Sequence, residues 1–306
     1  MKVPLLVIVG PTASGKSGLA LRLAQEHSAE IISADSVQVY RGLDIGSAKP
    51  TPQERALVRH HLIDVADPDE PFDAARFREL AAQAAADIAS RGHKAIVAGG
   101  TGLYVRALLG GLFPSPPKDA ELRRALQLEA RRLGREALWE RLSRLDPESA
   151  RRIHPRDLVR VVRALEVVQL SGRPISELQA GHGFAERPYR HLKLGLKLER
   201  AELYRRIEER VEAMLAAGWL EEVRALVSRW GPGAHALKSL GYRHLVAHLE
   251  GRLSLEEARA LTMRDTRRYA KRQLVWFRAE PDIEWFAPDD PELPARAGGF
   301  LAQGGL

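Results

Sequence analysis

Gly10-Pro11-Thr12-Ala13-Ser14-Gly15-Lys16-Ser17 fits the pattern G-x-x-x-x-G-K-[ST] in full. The pattern follows an apolar run, Val3 to Val9, and precedes a stretch with leucines at helical spacing, Leu19, Leu21 and Leu23. This is the context a phosphate-binding loop requires. The glycines let backbone N–H groups turn inward around phosphate oxygens, and the following helix N-terminus adds a partial positive charge. Lys16 supplies a point charge, and the Ser17 hydroxyl is a candidate ligand for Mg²⁺. The loop therefore calls for a diphosphate or triphosphate ligand. It does not say which one, nor whether it is hydrolysed.

An ATP-consuming enzyme built on such a loop usually carries an Asp at the end of a second apolar strand. Here the apolar run Lys94 to Ala98 ends in Gly99-Gly100-Thr101-Gly102, with no carboxylate. The early strand-end carboxylate is instead Asp35, after the short run Glu30 to Ser33. At the mouth of an open α/β sheet an Asp can ligate a metal or act as a base. Equally, Asp35-Ser36 suits a turn or a helix cap.

The elements that must hold these residues follow from periodicity. Residues 1–113 alternate strand and helix signals, including an Ala-rich helix from Phe72 to Arg91 that stops at Gly92. Such alternation predicts a parallel sheet covered on both faces. A Pro-rich linker at Leu112 to Pro117 then opens a stretch of purely helical pattern from Asp119 to about Leu170. Tyr189 to Leu198 returns to strand-like alternation, and residues 200–230 and 254–278 read as long helices. The expected architecture is α/β: a P-loop NTPase-like parallel-sheet core from residues 1–113 and 191–306, interrupted by an all-helical insertion at 114–190. The tail beyond Pro288, rich in Pro, Gly and Ala, is expected to be poorly ordered.

Composition narrows the class. The chain has 306 residues, 45% of them apolar, and no cysteine, which excludes disulfides and thiolate metal sites. The apolar run near the N-terminus is too short to span a bilayer, so a cytoplasmic protein is expected. The net charge of +7 is unevenly placed. Residues 1–113 carry twelve basic and twelve acidic side chains, whereas residues 114–191 carry sixteen and eleven. A basic excess confined to one part of a chain suits a polyanion such as nucleic acid, and equally a solvated Arg-rich face.

Beyond the P-loop, longer segments resemble a known family. Ser33-Ala34-Asp35-Ser36-Val37-Gln38-Val39-Tyr40 and Asp44-Ile45-Gly46-Ser47-Ala48-Lys49-Pro50 are similar to the motif that follows the P-loop in tRNA dimethylallyltransferases. His60-His61-Leu62-Ile63-Asp64, Gly99 to Tyr104, Arg160 to Val167 and Asp265 to Gln273 continue the resemblance in family order. Ser17, Ser47 and Val275 stand where threonine is common in the family, and the absence of a zinc finger matches the bacterial form.

The resemblance implies that residues 10–17 hold the diphosphate of dimethylallyl diphosphate, with Lys16, a Mg²⁺ near Ser17, and Arg210 stabilising the departing group. Taken alone, Arg210 reads as a surface charge among Glu208, Glu209 and Glu212. By the same resemblance Asp35 is the general base toward an adenine N6 amine, and Thr101 holds the acceptor. The implied acceptor is the adenosine immediately 3′ of the anticodon in the tRNA anticodon stem-loop, flipped out of its stack. RNA contacts are expected from Asp35, Ser36, Val37 and Gln38, from Arg123, Val159, Arg160, Val161, Val162 and Arg163, and from a basic stripe of Arg264, Arg267, Arg268, Lys271 and Arg272. Tyr269 and Trp276 lie off that stripe and are expected in the core. A monomer is expected. The alternatives are a P-loop small-molecule kinase or ATPase with ATP at the loop, a non-catalytic RNA-binding module, and transfer of the same group to free AMP.

Overall fold

The computed structural model describes residues 2–303. In chain order the elements are β1 (Pro4–Val9), α1 (Lys16–Glu26), β2 (Ala29–Ser33), α2 (Pro52–Leu57), β3 (His60–His61), α3 (Ala74–Ser90), β4 (Lys94–Gly99) and α4 (Gly102–Gly110). Then come α5 (Ala120–Leu133), α6 (Arg135–Leu145), α7 (Pro147–Arg152), α8 (Leu158–Ser171) and α9 (Ile175–His182). The chain closes with β5 (Arg190–Leu196), α10 (Arg200–Ala216), α11 (Trp219–Trp230), α12 (Tyr242–Leu249), α13 (Leu255–Arg278), β6 (Ile283–Phe286) and α14 (Glu292–Ala302). Two compact units result. One comprises residues 1–109 and 187–306, the other residues 110–186.

In the larger unit six strands form one parallel sheet in the order β3-β2-β4-β1-β5-β6. The near-continuous apolar runs of β1 and β4 are what a strand covered on both faces needs. Leu6, Ile8, Ile31, Ile96 and Leu194 face α1 and α14, while Leu5, Val7, Val9, Ile32 and Val97 face α3, α4, α11 and α12. Parallel strands deliver their C-terminal ends to one edge, so the loops after β1, β2 and β4 converge there. The smaller unit packs Leu126, Leu138, Leu142, Val161, Val162 and Leu165 into its own core. No helix among the described residues is long and apolar enough to cross a membrane.

Several expectations change. The helical stretch from Asp119 to Leu170 is four helices, broken at Gly134, at Asp146-Pro147 and at residues 153–157. The helix expected from Phe72 starts at Ala74, because the Asp73 side chain caps it by accepting from the backbone N–H of Ala75 and Arg76. Among the described residues beyond Pro288 the tail forms a helix: α14 buries Leu293, Ala297, Phe300 and Leu301 against the α1 face of the sheet. Its apolar residues recur at i, i+4, i+7 and i+8, and that burial outweighs the two glycines and the proline. Phe300→Ala is therefore expected to cost about 3 kcal/mol of unfolding free energy in urea titration; an unchanged midpoint would show that α14 does not belong to the core.

Candidate active site

A cavity of about 250 Å³ opens at the edge where the C-terminal ends of β1, β2 and β4 converge. Thr12, Lys16 and Ser17 line it from the P-loop, Asp35 to Gln38 from the loop after β2, and Gly46 to Ala48 from the loop beyond. Ile207, Arg210, Val211 and Met214 come from α10, Trp219 from α11, and Thr262, Thr266, Tyr269 and Gln273 from α13.

The phosphate end is built by backbone. Gly15 takes a left-handed conformation, φ 88°, and α1 begins at Lys16 with no side chain capping its first turn. Those N–H groups are left for an anion. The Lys16 ammonium donates to the Pro11 carbonyl oxygen at 3.2 Å. Burial pulls its pKa down to about 8; Asp35 opposes that shift and Arg210 adds to it.

Arg210 does not behave as a surface charge. The three carboxylates around it in sequence are engaged elsewhere: Glu208 with Arg267 at 2.6 Å, Glu212 with Arg259 at 2.7 Å, and Glu209 with Arg205. Arg210 itself has no ion pair among the described residues. Burial lowers its pKa and Asp35 raises it. One face of α10 thus presents a guanidinium beside Ile207, Val211 and Met214.

Asp35 is both a turn residue and a site residue. Its Oδ1 accepts from the backbone N–H of Val37 at 2.8 Å and Gln38 at 3.3 Å. Oδ2 has no hydrogen-bond partner among the described residues. The turn therefore orients the carboxylate and leaves one oxygen for chemistry.

Other expected residues are placed differently. Thr101 is not on the cavity wall; its hydroxyl accepts from the Ser36 N–H at 3.1 Å and so holds the Asp35 loop. The Gln38 side chain is already occupied. Its Oε1 accepts from the Ser33 hydroxyl, and its Nε2 donates to the Ser47 and Ala48 carbonyls. Reading a base with that amide would require giving up those bonds. Val161 and Val162 face the interior of the helical unit, so neither side chain is available to RNA. They occupy the buried side of an amphipathic helix, whereas Val159 is 82% exposed. Arg123 and Arg163 both pair with the buried Glu166 carboxylate, which leaves one net positive charge among three groups. Arg160 is exposed and pairs with Asp157. On α13, Asp265 gathers Arg243, Arg264 and Arg268, and Arg267 pairs with Glu208. Lys271 and Arg272 are exposed and have no ion pair among the described residues. Tyr269 lines the cavity instead of packing in the core, its phenol pKa pushed up to about 12 by burial.

Residues 38–280 match the model of the IPP transferase family. The chain belongs to that family. It is 57% identical to tRNA dimethylallyltransferase 1 of Pelobacter propionicus over 92% of this chain and 91% of the relative. Among solved structures it resembles the full-length tRNA isopentenylpyrophosphate transferase of Bacillus halodurans, at 38% identity and TM-score 0.73, with 99% and 98% of the two chains covered. A eukaryotic dimethylallyltransferase acting on tRNA superposes with TM-score 0.82 at 27% identity, over 98% of this chain and 80% of that one.

Two supporting residues escape the sequence reading. Glu222 accepts from the backbone N–H of Asp44, Ile45 and Gly46 and from the Tyr242 hydroxyl, which fixes the loop beneath the cavity. Gln273 bridges the P-loop to the loop after β4. Glu222 has no local signal, and Gln273 closes a family-like segment without showing its role there, since each acts on partners far along the chain.

The charge on Lys16 gives the site a pH dependence. Anion binding needs the ammonium, so a diphosphate monoester should bind tightly below pH 8 and progressively less well as pH rises through it. Titration calorimetry across pH 7–9.5 tests this. A flat profile, or the same profile in Lys16→Met, would show that Lys16 does not control binding.

Proposed function

We propose that this IPP transferase moves a dimethylallyl group from its diphosphate to N6 of the adenosine immediately 3′ of the anticodon in tRNA, releasing diphosphate. One observation carries the reading. A single cavity places the P-loop and two uncompensated cations beside an apolar wall of Ile207, Val211 and Met214, with one free carboxylate oxygen next to them. A five-carbon allylic chain attached to a diphosphate calls for such a wall beside the phosphate loop.

The chemistry follows. As the allylic carbon–oxygen bond breaks, negative charge grows on the diphosphate, where Lys16, Arg210 and the amides of α1 stabilise it. The N6 lone pair is delocalised into the ring, so the amine attacks well only as its proton leaves. Asp35 takes that proton while the N–C bond forms. Ser17 offers a hard oxygen donor for Mg²⁺. No cluster of three or more acidic or histidine side chains is present among the described residues, so the diphosphate and water would complete its shell. The ion would supply further charge neutralisation on the leaving group.

The exposed cations on α13 suit the phosphates around a flipped base, and single-stranded loop RNA makes flipping least costly. A monomer working in the cytoplasm, where tRNA is abundant, fits this role.

The test is transfer of radiolabelled dimethylallyl diphosphate to unmodified tRNA with Mg²⁺, with AMP as alternative acceptor and ATP turnover followed in parallel. Label in tRNA is expected, and Asp35→Ala should lower single-turnover transfer by about 10²- to 10⁴-fold while tRNA affinity holds. Label in AMP alone, or ATP turnover without RNA, would overturn the proposal.

Lys271→Ala with Arg272→Ala should weaken tRNA binding and reduce the slope of log affinity against log salt by about 1 per residue. Fluorescence anisotropy at several salt concentrations reads this; an unaltered slope places the two cations away from phosphate.

A further inference from the structure

α13 reaches into the site through a buried amide. Gln273 is 6% exposed. Its Oε1 accepts from the backbone N–H of Thr12 in the P-loop at 2.9 Å, and its Nε2 donates to the carbonyl of Gly100 at 2.9 Å. One side chain therefore spans the loop that takes the diphosphate and the loop after β4.

The second loop leads to the acceptor side. Thr101, next to Gly100, accepts from the N–H of Ser36, the neighbour of Asp35. Tyr269, one turn before Gln273 on α13, lines the same cavity as Gln273 and Asp35. Three hydrogen bonds and the Gly100–Thr101 peptide therefore link the P-loop amide to the residue beside the carboxylate.

Helix docking does not explain Gln273. Trp276 already seats α13 on the same loop: a Cβ at Gly102 would come within 2.1 Å of its indole. Phe277 and Ala270 bury the helix in two apolar clusters. An apolar residue at 273 would preserve that packing. A primary amide accepts through one atom and donates through another, so it can hold both loops at the same time.

The geometry points to Gln273 as the positioning residue that sets the distance between the diphosphate loop and the Asp35 loop, and so between the two reacting groups. This rests on the transfer reaction proposed above. A positioning residue acts on rate more than on affinity, because each substrate still has its own contacts while their relative placement slips. Misplacement of about 1 Å is enough to cost on the order of 100-fold.

Two full-length variants test it. Gln273→Met keeps the volume and removes both bonds. Gly100→Ala leaves Gln273 in place but brings a methyl within 2.2 Å of Nε2 and forces the amide away. Both should lower single-turnover transfer by about 10- to 100-fold. Affinities for a diphosphate monoester and for tRNA, measured separately, should stay within about threefold of wild type on the same basis. If Gln273→Met does not fold, Gly100→Ala decides. Unchanged rates in the folded variants overturn the assignment. So does a parallel fall in both affinities, which would mark a structural role. A wild-type chain that transfers no label rejects the reaction and this role with it, and that result is read from the control before any variant is compared.

Discussion

Two half-buried cations that form no ion pair among the described residues dominate this site. Lys16 and Arg210 share a cavity with a single carboxylate, and burial lowers the pKa of both. Holding partly desolvated charges without an ion pair costs folding free energy. The arrangement is favourable only when an anion arrives, and most favourable when that anion gains charge. A site strained without ligand and relieved as a bond to oxygen breaks binds the transition state better than the ground state. The sheet, the uncapped first turn of α1 and the rigid face of α10 all serve to keep these groups from relaxing.

Helical phase and charge pairing elsewhere leave these cations available. α10 carries Glu208, Glu209 and Glu212 around Arg210, and each is taken by an arginine: Arg267, Arg205 and Arg259. At one or two positions from Arg210 on the same helix, these carboxylates leave on other faces and none is placed to neutralise it. Asp265 in the same way gathers Arg243, Arg264 and Arg268. The surface salt bridges add little stability singly. Their effect is to decide which cations remain available to a phosphate.

The phosphate loop and the alternation of strands and helices were legible in the sequence because both are local patterns. Asp35 was legible as a strand-end carboxylate, and the structure shows why its two readings never conflicted: one oxygen makes the turn, the other is left over. Arg210 was not legible without family resemblance. Its direction depends on which face of α10 meets the cavity, and that is set by α13 and the loop after β2, far along the chain. Val161 and Val162 sit in a segment that resembles the family, yet helical phase turns their side chains inward. α14 was missed because Gly298, Gly299 and Pro294 suggest disorder, while its four apolar residues find the sheet only in three dimensions. Glu222 carries no local signal, and Gln273 closes a family-like segment without showing its role there, since their value lies in the backbone groups they reach.

α13 shows how one helix can serve several surfaces. Its 24 residues place Thr262, Thr266, Tyr269 and Gln273 toward the cavity, Ala270 and Phe277 in apolar clusters, and Lys271 and Arg272 in solvent. These sets recur at intervals of three, four and seven, so the helical period sorts them onto separate faces. The same rigid rod therefore presents cations outward and hydrogen-bonding groups inward, at positions fixed relative to one another to within a side-chain rotamer. A loop could carry the same residues but could not hold them in phase. This is why the basic residues of this segment must be judged with its buried ones: a polyanion held on the outer face would be registered, through an unbending backbone, against the two loops that hold the reacting groups.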